Sequence, residues 1–175
     1  MGLVSRILAF DPSGNFSSRE GKGVTGWALF EDGKLKDFGR IEAENFGIVE
    51  GYWDAHLDLM IQKLGSNIVF NTIVCESYKL QPAKAMQQSW SALETPQLIG
   101  AMRMFNFTEP ELQHPFVFQD PSIKARFSDE ILVKMGIAEK RGNKYYILGR
   151  STVDHERDAI RHGLYYLKYG KEKQK

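Results

Sequence analysis

Two apolar runs in this chain stop on a carboxylate: Arg6-Ile-Leu-Ala-Phe-Asp11, which leads into Pro-Ser-Gly-Asn, and Asn71-Thr-Ile-Val-Cys-Glu76. Short apolar runs bounded by turn formers read as buried strands. An acid at the end of such a strand adds nothing to a core and costs several kcal/mol if it stays ionised without a partner. Whatever fold the chain adopts must therefore bring a cation or a proton donor to both strand ends.

The segments between and around these runs set the fold class. Val24 to Phe30 and Leu35 to Ile41 flank Glu31-Asp-Gly-Lys34, a hairpin signal. Tyr52, Trp53, His56, Leu57, Met60, Ile61 and Leu64 recur at helical spacing up to Gly65. A helical stretch is expected from Ala83 to about Phe105, broken near Thr95-Pro96 because proline starts helices more readily than it continues them. Pro115 to Gln119 reads as a fifth strand, Pro121 to Met135 as a helix, Glu139 to Lys144 as a charged loop, and Tyr145 to Leu148 fits no one class. Asp154 to Lys168 is the last helix, with Ala159, Ile160, Gly163, Leu164 and Leu167 on its packing side. A hairpin followed by alternating helices and strands predicts an α/β domain with a mixed sheet, and 175 residues suit one such domain spanning 1–175.

Bulk properties narrow the setting. No apolar run approaches the roughly 20 residues needed to cross a bilayer, so no membrane span is expected. The start, Met1-Gly-Leu-Val-Ser-Arg6, lacks the small-residue cleavage site of a secretory signal. A single cysteine, Cys75, rules out an intramolecular disulfide and a thiolate-only zinc site, and points to the cytoplasm. The net charge of +1 does not by itself indicate a nucleic-acid partner, although Lys134, Lys140, Arg141, Lys144 and Arg150 make the C-terminal part richer in cations.

The chemistry-bearing constellation follows from the strand ends. Ligands of open α/β sheets collect there, and Asp11 and Glu76 need only a third acid to hold a cation. The last helix offers Asp154, His155 and Asp158, where 154/158 and 155/158 are i,i+4 and i,i+3 neighbours with Cβ atoms about 5–6 Å apart. An oxygen-rich set with at most one imidazole suits Mg²⁺ or Mn²⁺ better than zinc. Two such ions roughly 3.5–4 Å apart activate water against a phosphodiester and stabilise the leaving oxygen. Asp154 is equally suited to cap the helix.

The order Ile7-Leu-Ala-Phe-Asp11-Pro-Ser, Val24-Thr-Gly-Trp-Ala-Leu, Ile73-Val-Cys-Glu76 and His155-Glu-Arg-Asp158-Ala159 resembles the RuvC family of Holliday-junction resolvases, closest to the shorter bacteriophage members. The resemblance implies an RNase H-like fold with a five-stranded mixed sheet and helices on both faces. It also implies a crossover-junction endonuclease that uses two Mg²⁺ ions, with Mn²⁺ as the alternative, in recombination or in processing branched phage DNA, within the host bacterial cytoplasm. By that likeness Asp11 bridges the metals, Glu76 and Asp158 complete the set, His155 takes the fourth place, and Asp154 is left as a cap or outer group, with the choice between 154 and 155 open. A homodimer is implied, since a four-way junction is two-fold symmetric. The chain departs from the family in a longer loop between Asp11 and Val24, which includes the polar segment Phe16 to Gly23, and in Lys79 standing where the cellular enzymes carry an aromatic wedge, with Tyr78 one place earlier. Tyr78 is then the candidate for base stacking, and Lys79, Lys84, Lys124 and Arg126 for phosphate contacts. Lys124 also follows a strand and a Pro-Ser turn close to the expected strand ends, where a cation would hold the scissile phosphate. The same acids would serve a nuclease acting on RNA–DNA hybrids, and the fold without activity would make a junction-binding protein.

Overall fold

The computed structural model describes residues 5–16, 22–65, 70–79 and 93–170. The chain opens with an antiparallel meander of β1 (Ser5–Asp11), β2 (Val24–Glu31) and β3 (Lys34–Glu42). Asp32 and Gly33 close the β2–β3 hairpin with φ of 48° and 78°, the pair of positive values that a type I′ turn requires. Helix α1 (Val49–Leu64) then crosses to β4 (Phe70–Glu76), which pairs parallel to β1, and α2 (Glu94–Thr108) crosses to β5 (Phe116–Gln119), parallel to β4. A 3₁₀ segment (Pro121–Phe127), the short α3 (Asp129–Lys134), a small ribbon of β6 (Glu139–Arg141), β7 (Lys144–Ile147) and β8 (Arg150–Ser151), and α4 (Asp154–Tyr169) complete the order. The main sheet runs β3-β2-β1-β4-β5. This is the mixed five-stranded α/β arrangement expected from the sequence, and it is compatible with an RNase H-like fold.

Period-2 alternation divides the core into two layers. Leu8, Phe10, Leu29, Ile73 and Cys75 face α1 and α2, where Tyr52, Met60, Leu64, Leu98 and Met102 are buried. Ile7, Ala9, Ala28, Phe30 and Val74 face α4, which contributes Ala159, Ile160 and Leu164. Helices therefore cover both faces, and burial of each large side chain contributes about 1.5–3 kcal/mol. Among the described residues no helix is long and apolar enough to cross a membrane.

Three sequence expectations change. Pro121 to Met135 is not one helix, because Ser128 with Asp129 and Glu130 behind it begins a new one. The Glu139–Lys144 loop and the unassigned Tyr145–Leu148 are instead a ribbon, turned by Gly142 (φ 59°) and by Leu148 and Gly149 (φ 47° and 77°). The charges on β6 hid its pairing, since an exposed strand face carries no apolar period. The N-cap of α4 is Val153, with Asp154 inside the first turn. Helix α2 begins at Glu94, with Pro96 in its first turn, as proline's preference dictates; the part of that stretch before residue 93, Lys84 and residues 17–21 of the long loop lie outside the described residues.

Candidate metal centre

Asp11 and Glu76 end neighbouring parallel strands, so the register alone sets two carboxylates side by side at the C-terminal edge of the sheet. Asp158 arrives from α4. The three converge on one ammonium: Lys124 Nζ lies 2.9 Å from Asp11 Oδ1, 2.6 Å from Glu76 Oε2 and 2.9 Å from Asp158 Oδ2. Lys124 reaches them from the 3₁₀ segment, which Asp120 starts by accepting the Ser122 N–H at 2.9 Å.

Each carboxylate also has a second donor, and all three of these donors come from α4. His155 Nδ1 lies 2.6 Å from Asp11 Oδ2. His162 Nε2 lies 2.8 Å from Glu76 Oε2, with its Nδ1 2.8 Å from Gln119 Oε1. The Arg161 guanidinium holds Asp158 and also donates to the Phe127 carbonyl at 2.8 Å. His155, Asp158 and His162 stand at i, i+3 and i+7, one stripe of the helix.

Close approach of α4 to the sheet makes this possible. Gly26 is paired with Asp11 in the β1–β2 ladder, and a Cβ built on it would lie 1.9 Å from the backbone oxygen of His155. A Cβ on Gly163 would meet the Phe30 ring at 2.1 Å. Glycine at 26 lets the first turn of α4 lie over the end of β1, and glycine at 163 lets its third turn seat against Phe30 of β2.

The turn after Asp11 is pinned from two sides. Ser13 N–H donates to Thr25 Oγ1 at 3.1 Å, and the Tyr52 hydroxyl donates to the Ser13 carbonyl at 2.6 Å. Gly14 N–H donates to Thr95 Oγ1 at 2.9 Å and Phe16 N–H to the Glu94 carboxylate at 2.8 Å. His56, fully buried, stands behind this network: its Nδ1 is 2.7 Å from the Tyr52 carbonyl and its Nε2 is 2.9 Å from Thr25 Oγ1.

The electrostatics follow from burial and pairing. Burial works to strip the proton from Lys124, but Asp11, Glu76 and Asp158 outweigh it and raise its affinity for the proton. Burial likewise pushes Glu76 up, and hydrogen bonds from His162 and Lys124 reverse this, leaving its carboxyl below the usual range. The hydrogen bond to Asp11 raises His155 above the ordinary imidazole value. Burial, with Glu76 and Asp11 nearby, drives the Cys75 thiol up, and its side chain packs within the core.

Of the sequence-predicted residues, Asp11, Glu76, His155, Asp158 and Lys124 are thus brought together. Asp154 is not: its side chain is 86% exposed and pairs with Arg157, so of the two neighbours it is His155 that stands beside the carboxylates. Tyr78 and Lys79 line an adjoining groove of about 610 Å³, with Pro12, Thr95 and Lys124 also on its walls. Lys79 is tied there to Asp120. Arg126 turns away from the carboxylates and sits 5.8 Å from the Tyr169 ring, at the far end of α4. Sequence reasoning missed His162, Arg161 and Gln119; the i+7 spacing of His162 from His155 was the available signal.

Asp11, Glu76 and His162 each offer a ligand atom within 4.8 Å of the others, so this group could hold a metal ion. Asp158 and His155 border the same space. No protein-family model matches this chain, and no curated protein matches it.

Proposed function

We propose that the chain is a divalent-metal-dependent endonuclease, RuvC-like in its residues, that cuts branched DNA and above all four-way junctions. The observation that carries this reading is the convergence of Asp11, Glu76 and Asp158, from three separate elements, on one cation position beside an open groove. Three carboxylates around one ammonium leave excess negative charge, and a hard oxygen donor set of this kind fits Mg²⁺ or Mn²⁺. Asp11, Glu76 and Asp158 would hold the ions, with His155 beside them. Bound there, such ions supply an activated water and stabilise the charge on the leaving oxygen.

The chain's own residues divide the remaining work. Arg161 and His162 fix the orientation of Asp158 and Glu76, so that these carboxylates do not rotate apart when charge arrives. His162 Nε2 lies against the Glu76 carboxylate, where it orients Glu76 or joins it and Asp11 in holding an ion. Lys124 lines both the cluster and the groove, which makes it the group placed to hold a phosphate oxygen. Tyr78, half-buried on the groove wall, offers a face for an unpaired base at a branch point. Symmetric cleavage of a two-fold symmetric junction calls for a homodimer.

Cleavage of a synthetic four-way junction, a Y-fork, a linear duplex and an RNA–DNA hybrid, each with Mg²⁺ and with EDTA, tests the proposal. Metal-dependent, symmetric cuts in the junction are expected. Cutting of the hybrid alone would replace the resolvase reading with a hybrid nuclease, and no cutting with Mg²⁺ or Mn²⁺ would leave a binding protein. Asp11→Asn is expected to abolish cleavage while junction binding persists; loss of both would make Asp11 structural.

A further inference from the structure

The β6–β7–β8 ribbon lies apart from the carboxylate site, yet it concentrates the chain's positive charge. Residues 139–151 hold Lys140, Arg141, Lys144 and Arg150 against Glu139, a net +3, while the whole chain is +1. The rest of the chain is therefore net negative, and the ribbon carries more than the chain's whole net positive charge.

Register divides the ribbon into two faces. Tyr145, Ile147 and Arg150 point to the body of the protein: Ile147 is buried, the Arg157 guanidinium lies 4.9 Å from the Tyr145 ring, and Arg150 donates to Asp37 and to the Phe38 carbonyl. The opposite face carries Arg141 directly across from Lys144, and Tyr146 across from Glu139. Two like charges directly opposed on an antiparallel pair destabilise it. Among the described residues nothing offsets this fully. The Arg141–Glu139 pair is 57% and 62% exposed, where an ion pair contributes little, and Lys144 has no partner among the described residues. Such a pair is relieved by an anion that both cations can share, and the Arg141 guanidinium 4.7 Å from the Tyr146 ring is already held in place for one.

The ribbon is also fixed to α4. Thr152 N–H donates to the Tyr145 carbonyl at 2.9 Å, and Arg157 of α4 donates to both oxygens of Thr152, at 3.2 and 3.1 Å. The chain from Ser151 to His155 spans at most about 14 Å. That is the length of about four base-pair steps along a duplex axis, at ~3.4 Å each.

We infer that the outward face of this ribbon, through Arg141 and Lys144, grips the phosphate backbone of a duplex arm of the substrate. The inference rests on the nuclease reading above for the identity of the substrate. The ribbon positions an arm, and the carboxylates act on the branch.

The test is equilibrium binding of the full chain to a four-way junction in EDTA, followed over a series of salt concentrations. Arg141→Gln with Lys144→Thr is compared with Lys34→Gln with Lys36→Thr, an equal loss of charge at exposed positions of β3. The ribbon variant is expected to bind about tenfold more weakly near physiological salt, and its plot of log affinity against log salt should flatten by about 2, close to 0.9 for each phosphate no longer neutralised. The β3 variant should keep the wild-type slope, and Lys144→Gln alone should flatten it by about 1. Equal slopes in the wild type and the ribbon variant, or the same change in both double variants, would overturn the ribbon's role. Thermal melting of the ribbon variant should show an unchanged or raised midpoint, because the opposed charges are gone. Wild-type protein that binds the junction with the predicted slopes but cuts nothing in Mg²⁺ or Mn²⁺ would defeat the nuclease proposal and leave the ribbon's grip on the duplex standing. Failure to bind any DNA would defeat both.

Discussion

Lys124 is the residue on which the site balances. Its ammonium touches all three carboxylates, so a metal held by them, as proposed, would compete with it for one electrostatic position. Lys124→Met should leave Asp11, Glu76 and Asp158 facing one another without their shared cation. Removing one partner of a buried pair costs about 3–5 kcal/mol, and the partial exposure here reduces that to about 2 kcal/mol. Melting in EDTA should show this loss. Adding Mg²⁺ or Mn²⁺ should then raise the midpoint of the variant by more than that of the wild type, since metal binding to the folded state alone adds stability. Equal metal-induced shifts in the two proteins would show that the lysine does not occupy the metal position. At this scale Asp11, Glu76 and Asp158 were legible from where they stand in their segments, and Lys124 from following a strand and a Pro-Ser turn. His162 was not, because a histidine within an apolar helix face reads as core until the strand end beside it is known.

Helix α4 is the element that assembles the centre, since it supplies Asp158 and the second donor to each carboxylate. Its seat depends on glycine. Gly26→Ala would force a methyl group against the His155 backbone and push the first turn of α4 off the end of β1. A destabilisation of about 1–3 kcal/mol is expected, as for overpacking elsewhere. Metal affinity measured by calorimetry should fall more than stability does, because His155 and Asp158 move together; unchanged affinity would show that the turn does not need this close approach. Elements with strong apolar periods, β1, β2, β4 and α4, were readable from their residues alone. The ribbon was not, because its pairing is set by two tight turns and by the packing of Tyr145 and Ile147, while its outward face looks like loop.

For the whole molecule, the buried His56 links folding to pH. Desolvation holds its imidazole at about 4, and the ring stays neutral between the Tyr52 carbonyl and the Thr25 hydroxyl. An unfolded chain takes up this proton near pH 6.5. Between pH 6.5 and about 4 the unfolded state therefore binds more protons than the folded one, and stability falls as the pH falls, by up to about 3 kcal/mol. Urea unfolding of the wild type and of His56→Gln at pH 7 and pH 4.5 checks this: the wild type should lose about 2–3 kcal/mol more than the variant, and parallel losses would assign the effect to other groups. The strands, the main helices and the acids that end two of the strands are local matters of apolar period, turn chemistry and desolvation cost, so the sequence by itself determined them. Which donors meet those acids was decided only by the tertiary structure. That depends on parallel register setting Asp11 beside Glu76, on two glycines letting α4 approach, and on a 3₁₀ segment reaching back from residue 124, and contacts between residues so far apart in the chain leave no period for a sequence to show.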